Sequence, residues 1–169
     1  MAFAIIALRL IHVGSAILWA GGSIFIERFV EPTSNELGTA SGPFYAGMMK
    51  RGLAVYFPIV ALMTVLAGSI LYWIDANGNV VGYFTGGGTG LAFGIGGIAA
   101  WLGFLVGGAM IGPNANKLAK ANATMAASGE TPELLAQVAA AAKAIHNAGR
   151  FGLVMLTIAI VTMATARYL

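Results

Sequence analysis

Long apolar runs broken by short polar stretches dominate the pattern along the chain. A helix crossing a hydrocarbon layer of ~30 Å needs about 20 mostly apolar residues. Four stretches meet that length. They run from about 3 to 27, 53 to 75, 90 to 112 and 150 to 168. The first ends at Glu27-Arg28, the second at Asp75, and the third near Gly112-Pro113. The fourth lies between Arg150 and Arg167. Period-two alternation is absent, which excludes a closed β-barrel, the other structure that satisfies its backbone in lipid. The pattern predicts an all-α, up-and-down bundle of four transmembrane helices in a single domain.

The segment from about 113 to 148 is not a plain linker. Ser128-Gly129-Glu130-Thr131-Pro132-Glu133 reads as a turn and a helix start, with Thr131 as N-cap, Pro132 at N1 and Glu133 in the first turn. Leu134 to Asn147 is Ala-rich without a breaker and should run straight into the fourth span. Asn114 to Ala127 can extend the third in the same way. A helical hairpin protruding from the membrane follows. The stretch from Asp75 to Thr89 is glycine-rich and reads as a tight turn between spans two and three. Its Gly86–Gly90 run lacks the Lys-Ser/Thr of a phosphate loop, and Asp75–Asn79 does not match a calcium loop. There is no convincing internal repeat.

Composition agrees with the pattern. Of 169 residues, 59% are hydrophobic and only 9% charged, with a mean hydropathy of +0.84. An ordinary soluble domain carries about 25% charge, so a water-soluble monomer and a disordered chain are both excluded. The absence of cysteine excludes disulfides, thiolate zinc sites and iron–sulfur ligation by this chain. The first apolar run has no basic leader and no small-residue cleavage site, so it is expected to be retained as a span.

Charge then orients the helices. Arg28, Lys50, Arg51, Lys117, Lys120, Lys143 and Arg150 all belong to loops one and three or their flanks. Only Arg9 and Arg167 fall on the other side. The positive-inside bias puts loops one and three in the cytoplasm and both termini outside. The expected location is a bacterial inner membrane. Tyr72, Trp73, Tyr83 and Tyr168 gather at the outer boundary as an aromatic belt. No clustered basic stripe exists, so nucleic acid is not a partner. Asn122-Ala123-Thr124 matches a glycosylation acceptor but falls on the cytoplasmic side.

Ionisable groups inside a span are costly and mark functional candidates. Arg9 and His12 sit three apart on one helix face, which Ser15, Trp19 and Gly22 continue. That polar and small stripe should face the bundle interior. At 1.5 Å per residue His12 lies roughly 14 Å below the outer boundary, with Met63 and Trp101 within about a turn of its depth. The four residues outline a haem pocket: His12 as metal ligand, Met63 as a second axial candidate, Trp101 on the porphyrin face and Arg9 towards a propionate. Each also has a plainer reading. Met63 fills a gap, Trp101 packs in the core, and Arg9 snorkels or pairs with Asp75.

His146, the only other histidine, differs from His12 in depth by roughly 20 Å and cannot share a haem with it. It is expected at the inner headgroup level near Arg150, solvated. Glu27, Arg28 and Arg150 fall at the same boundary as a possible ion-pair group. On the third span, Gly103 to Gly107 and Gly108 to Gly112 have the spacing of close helix contact. They offer a face to other subunits or to a second copy. No nucleophile–base pair and no intramembrane Lys is present, so hydrolysis and proton relay gain no support.

The run Arg9-Leu10-Ile11-His12, followed by Trp19-Ala20-Gly21-Gly22, resembles the opening helix of the copper-resistance-D (CopD-like) family and of the related HemJ-type membrane proteins. The resemblance covers about 20 residues. Through the HemJ branch it implies haem b with His12 as axial ligand, and an oxidation of protoporphyrinogen. Through the copper branch it implies a copper path through His12. Three functions are therefore expected to compete: a haem-b-binding or redox protein using His12, a non-catalytic subunit of a larger membrane complex, and a copper or small-solute permease.

Overall fold

A computed structural model describes residues 2–37 and 41–169. Among them the chain is helical, with no strand. Helix α1 spans Ala2–Phe25 and passes through a π turn, Ile26–Val30, into α2, Glu31–Leu37. Helix α3 is Ser41–Lys50, α4 Leu53–Asp75, α5 Val80–Thr85, α6 Gly88–Ser128 and α7 Pro132–Thr165, followed by a 3₁₀ turn at Ala166–Tyr168. Four helical units are long and apolar enough to cross a membrane: Ala2–Leu37, Leu53–Asp75, Gly88–Ser128 and Pro132–Tyr168.

The helices extend beyond the apolar runs. Glu27-Arg28 ends the first run but not the helix, which continues to Leu37. Pro113 lies inside α6 rather than at its end. Its missing N–H removes one backbone bond, and the next residue, Asn114, donates its side-chain amide to the Met110 carbonyl at 2.7 Å. At 1.5 Å per residue α6 is about 60 Å long and α7 about 50 Å, both well beyond a ~30 Å hydrocarbon layer. Gly129, at φ 87°, stops α6 in a conformation that favours glycine. Thr131 then starts α7, accepting from the Leu134 N–H at 3.3 Å, with Pro132 at the first position. The glycine-rich stretch after α4 is more than a turn. It holds α5, whose Asn79 cap accepts from the Gly82 N–H at 3.0 Å.

Packing joins neighbours in the sequence. α1 lies on α4, α4 on α6, and α6 along much of α7, whereas α1 and α7 touch only sparsely. The buried centre holds Trp19 of α1, Val60, Ala61 and Val65 of α4, Ala99 and Ala100 of α6, and Leu156 and Ala159 of α7. Alanine is frequent there because close helix packing in lipid is driven by backbone approach and van der Waals contact. Gly96 sits against Thr162 and Met163, and Gly103 against Met155, so the third apolar helix does use glycine for contact. Of the four expected positions, Gly103 makes such a contact and the other three do not. Gly108 and Gly112 meet nothing, and Gly107 meets only Ile111 of its own helix.

Candidate functional site

Two polar foci stand out, one amid the apolar part of α1 and one where α1 passes into α2.

The first is built on the stripe of α1. Ser15 is 5% exposed and Trp19 7% exposed. Gly22 lies against the Phe57 ring, Ser15 against Thr64, and His12 against Gly68. Position numbers rise on α1 as they fall on α4, so the two helices run antiparallel with this face between them. Each hydroxyl is satisfied locally. Thr64 donates to Val60 O or Ser15 Oγ, at 2.8 and 2.9 Å, and Ser15 Oγ donates to Ile11 O at 2.6 Å. A buried hydroxyl without a partner would cost several kcal/mol in an apolar medium, which is why these close on their own helix and on each other.

His12 is the titratable group in this interface. Its Nδ1 lies 2.9 Å from the Thr64 carbonyl oxygen. A carbonyl only accepts, so Nδ1 carries the proton and donates. The ring rests directly on Gly68. A Cβ there would stand 2.7 Å from the His12 Cε1 and 2.9 Å from Nδ1. Only glycine lets α4 approach the imidazole this closely. Nε2 makes no hydrogen bond, and no buried side-chain nitrogen or oxygen among the described residues lacks a partner. Nε2 is therefore not fully enclosed. An Nδ1–H held by a backbone carbonyl with Nε2 left over is the arrangement that orients histidines bound to metals.

The other expected members are placed differently. Met63 is 42% exposed and does not line the cavity at His12. It precedes Thr64 by one residue, and one residue of helix is a rotation of about 100°, so equal depth did not mean an equal direction. Met163 of α7 lines that cavity instead, with Trp19, Thr64, Ala100 and Leu156. Trp101 packs against the core, edge-on to Phe104, and donates from Nε1 to Ser69 Oγ at 3.0 Å. It is not in the His12 cavity. Arg9 is exposed and forms no ion pair with Asp75.

The cavity itself has a volume of about 60 Å³. Sites for drug-sized ligands and cofactors occupy roughly 300–1,000 Å³, so this one is water-sized. The donor at His12 suits haem ligation, but the enclosed space does not admit a porphyrin between the four helices. A larger groove of about 390 Å³ lies between α6 and α7 near Leu169 and opens widely to the outside. Its hydroxyls, Thr162 and Thr165, bond to carbonyls of their own helix, at 2.8 Å each, and present no fixed polar group to a ligand.

The second focus was not apparent from the sequence. His146 of α7 is not simply solvated near Arg150. Its Nδ1 lies 2.5 Å from Glu31 Oε1, and this is the one ion pair among the described residues. Glu27 joins them. One ligand atom from each of Glu27, Glu31 and His146 lies within 4.8 Å of the others, and all three side chains are half-buried. The expected ion-pair group of Glu27, Arg28 and Arg150 does not form among the described residues; Arg150 acts on Glu27 only from beyond ion-pair distance. The sequence signal was thin: Glu27 and Glu31 are four apart, hence neighbours on a helix, but nothing local links them to a histidine 115 positions away from Glu31.

No family model, curated protein or solved structure matches the chain.

Proposed function

We propose that the chain is a four-span, up-and-down membrane bundle that binds haem b through His12. The supporting observation is the imidazole itself: Nδ1 is fixed on the Thr64 carbonyl, the ring is seated on Gly68, and Nε2 is left without a partner. The cavity volume argues against a haem enclosed by all four helices. Among the residues described, His12 is the one that would hold the group, and the space beside it would have to widen to admit it. Bound haem would supply one-electron chemistry there. The chain's part is to hold Nε2 in one tautomer and to keep water away with apolar walls. The seven cations of loops one and three orient the bundle with the α6–α7 hairpin in the cytoplasm and both termini outside.

A visible spectrum of the protein in mild detergent tests the reading, with haem supplied during expression, first oxidised and then dithionite-reduced. A Soret band with sharpened bands on reduction, lost in His12→Ala, is the expected outcome. A flat spectrum from folded protein, or stoichiometric haem retained by His12→Ala, removes it.

A second reading has its own observation. The bonds from His12, Ser15 and Thr64 already account for these residues as a clamp between α1 and α4. Under that reading the chain is a non-catalytic subunit, and native electrophoresis in gentle detergent should show a stable co-migrating partner.

A further inference from the structure

The cluster where α1 passes into α2 has features that helix packing does not explain. Glu27 and Glu31 are like charges that approach each other closely at the end of an otherwise oily helix. Two carboxyls this close are relieved either by sharing a proton or by something positive between them. Two basic side chains come near them. His146 bonds Glu31, and Arg150 acts on Glu27 while remaining exposed. The backbone is shaped around the acids. The π turn Ile26–Val30 lies between α1 and α2, with Glu27 inside it and Glu31 at its C-cap. Such single-turn interruptions of an α-helix are frequent at functional sites. On the opposite helix, Gly149 follows His146 by three positions. A Cβ there would collide with the Glu27 carboxylate, so glycine admits that group onto the α7 backbone between His146 and Arg150.

We propose that Glu27, Glu31 and His146 form a binding site for a single divalent first-row metal ion, of the zinc or manganese type. One imidazole and two carboxylates are the donor set such ions accept, with the remaining positions left to water. Three ligand atoms within 4.8 Å of one another need only small side-chain rotations to surround an ion at ~2.1 Å. All three are half-buried, so an ion and its waters have a way in from the aqueous side. The ion replaces the direct His146–Glu31 bond and separates the two carboxylates. It also ties the π turn and α2 to α7. The site is independent of any cofactor at His12, since the two histidines lie on different helices, His12 amid the apolar part of α1 and His146 beside the charged end where α1 passes into α2.

The test uses the full chain without a histidine tag, purified in mild detergent and stripped with chelator. Zn²⁺ and Mn²⁺ are titrated separately by calorimetry, and bound metal is counted after dialysis. One ion per chain is expected for at least one of the two metals, with a rise in melting temperature on binding. Glu31→Gln, which preserves shape and a hydrogen bond to His146, should weaken binding at least tenfold, as should His146→Ala. His12→Ala should bind as the parent does, which separates this site from the haem reading. Circular dichroism of each variant checks that its helices are formed. No bound metal in the parent chain overturns the proposal. So does metal that stays bound with unchanged affinity in folded Glu31→Gln and His146→Ala.

Discussion

The chain's two histidines are each held through Nδ1, by opposite means. His12 donates to a neutral backbone carbonyl at 2.9 Å, deep in the interface between α1 and α4. His146 meets a carboxylate at 2.5 Å, where its side chain is 42% exposed. In the apolar part of the helix, His12 Nδ1 and the Ser15 and Thr64 hydroxyls are matched on α1 and α4, and the ring lies against bare backbone at Gly68. At the charged end, long flexible side chains converge from two helices with water alongside. The difference follows from solvation. Unpaired polar groups are costly in an apolar interface, so position there is fixed by shape and by hydrogen bonds to neutral groups. At the boundary, charges are affordable and position is fixed by electrostatics, which distance and water weaken.

Each region has a glycine whose Cβ would collide with the site, so the comparison can be tested at matched positions. The largest effect is expected at Gly68. In Gly68→Ala the new methyl meets an imidazole locked between two helices, so α1 must shift away or His12 must leave its rotamer. Overpacking of this kind costs about 1–3 kcal/mol. The expected result is a clear fall in thermal midpoint in detergent, together with loss of whatever His12 binds. Unchanged stability would mean that the ring is not held where the Thr64 bond puts it. A smaller effect is expected at Thr64→Val, which keeps the carbonyl for His12 but removes the hydroxyl bond to Ser15. Hydrogen bonds between membrane helices average about 0.6 kcal/mol, so a loss of that order is predicted, with any spectrum from the His12 site preserved.

The contrast also explains what the sequence made legible. The four spans were readable because their length and apolarity answer to one solvent dimension. Of the stripe Arg9-His12-Ser15-Trp19-Gly22, the part from His12 to Gly22 was readable because spacing on a helix sets a face, and that face does meet α4, whereas Arg9 is exposed. Thr64 and Gly68 were not readable as its partners, since matching them needs the relative shift of two helices. Met63 shows the same limit: counting the rise gave its depth but not its direction. Charges misled in a different way. Glu27-Arg28 ends the apolar run, yet a helix leaving a membrane need not stop there, and this one continues to Leu37. The continuation is what carries Glu31 to His146, so the second site depended on a segment that composition alone assigns to a loop.

The smallest effect on stability is expected at the other glycine. In Gly149→Ala the added Cβ also collides, but with the carboxylate end of a half-buried glutamate. Glu27 can swing away by rotating its own bonds, at a cost of about 0.5–1.5 kcal/mol if it leaves a rotamer minimum and less if it finds another. Alanine in place of glycine within α7 returns up to about 1 kcal/mol of helix propensity. The two terms nearly cancel, so the melting temperature without metal should barely move. The rise on adding Zn²⁺ or Mn²⁺ should shrink, because one of three ligands has been displaced. A Gly149→Ala protein that melts far below its parent would show instead that the α1–α7 contact is rigid at this end. Shape would then govern both regions, and the distinction between a packed histidine and an electrostatic one would fail.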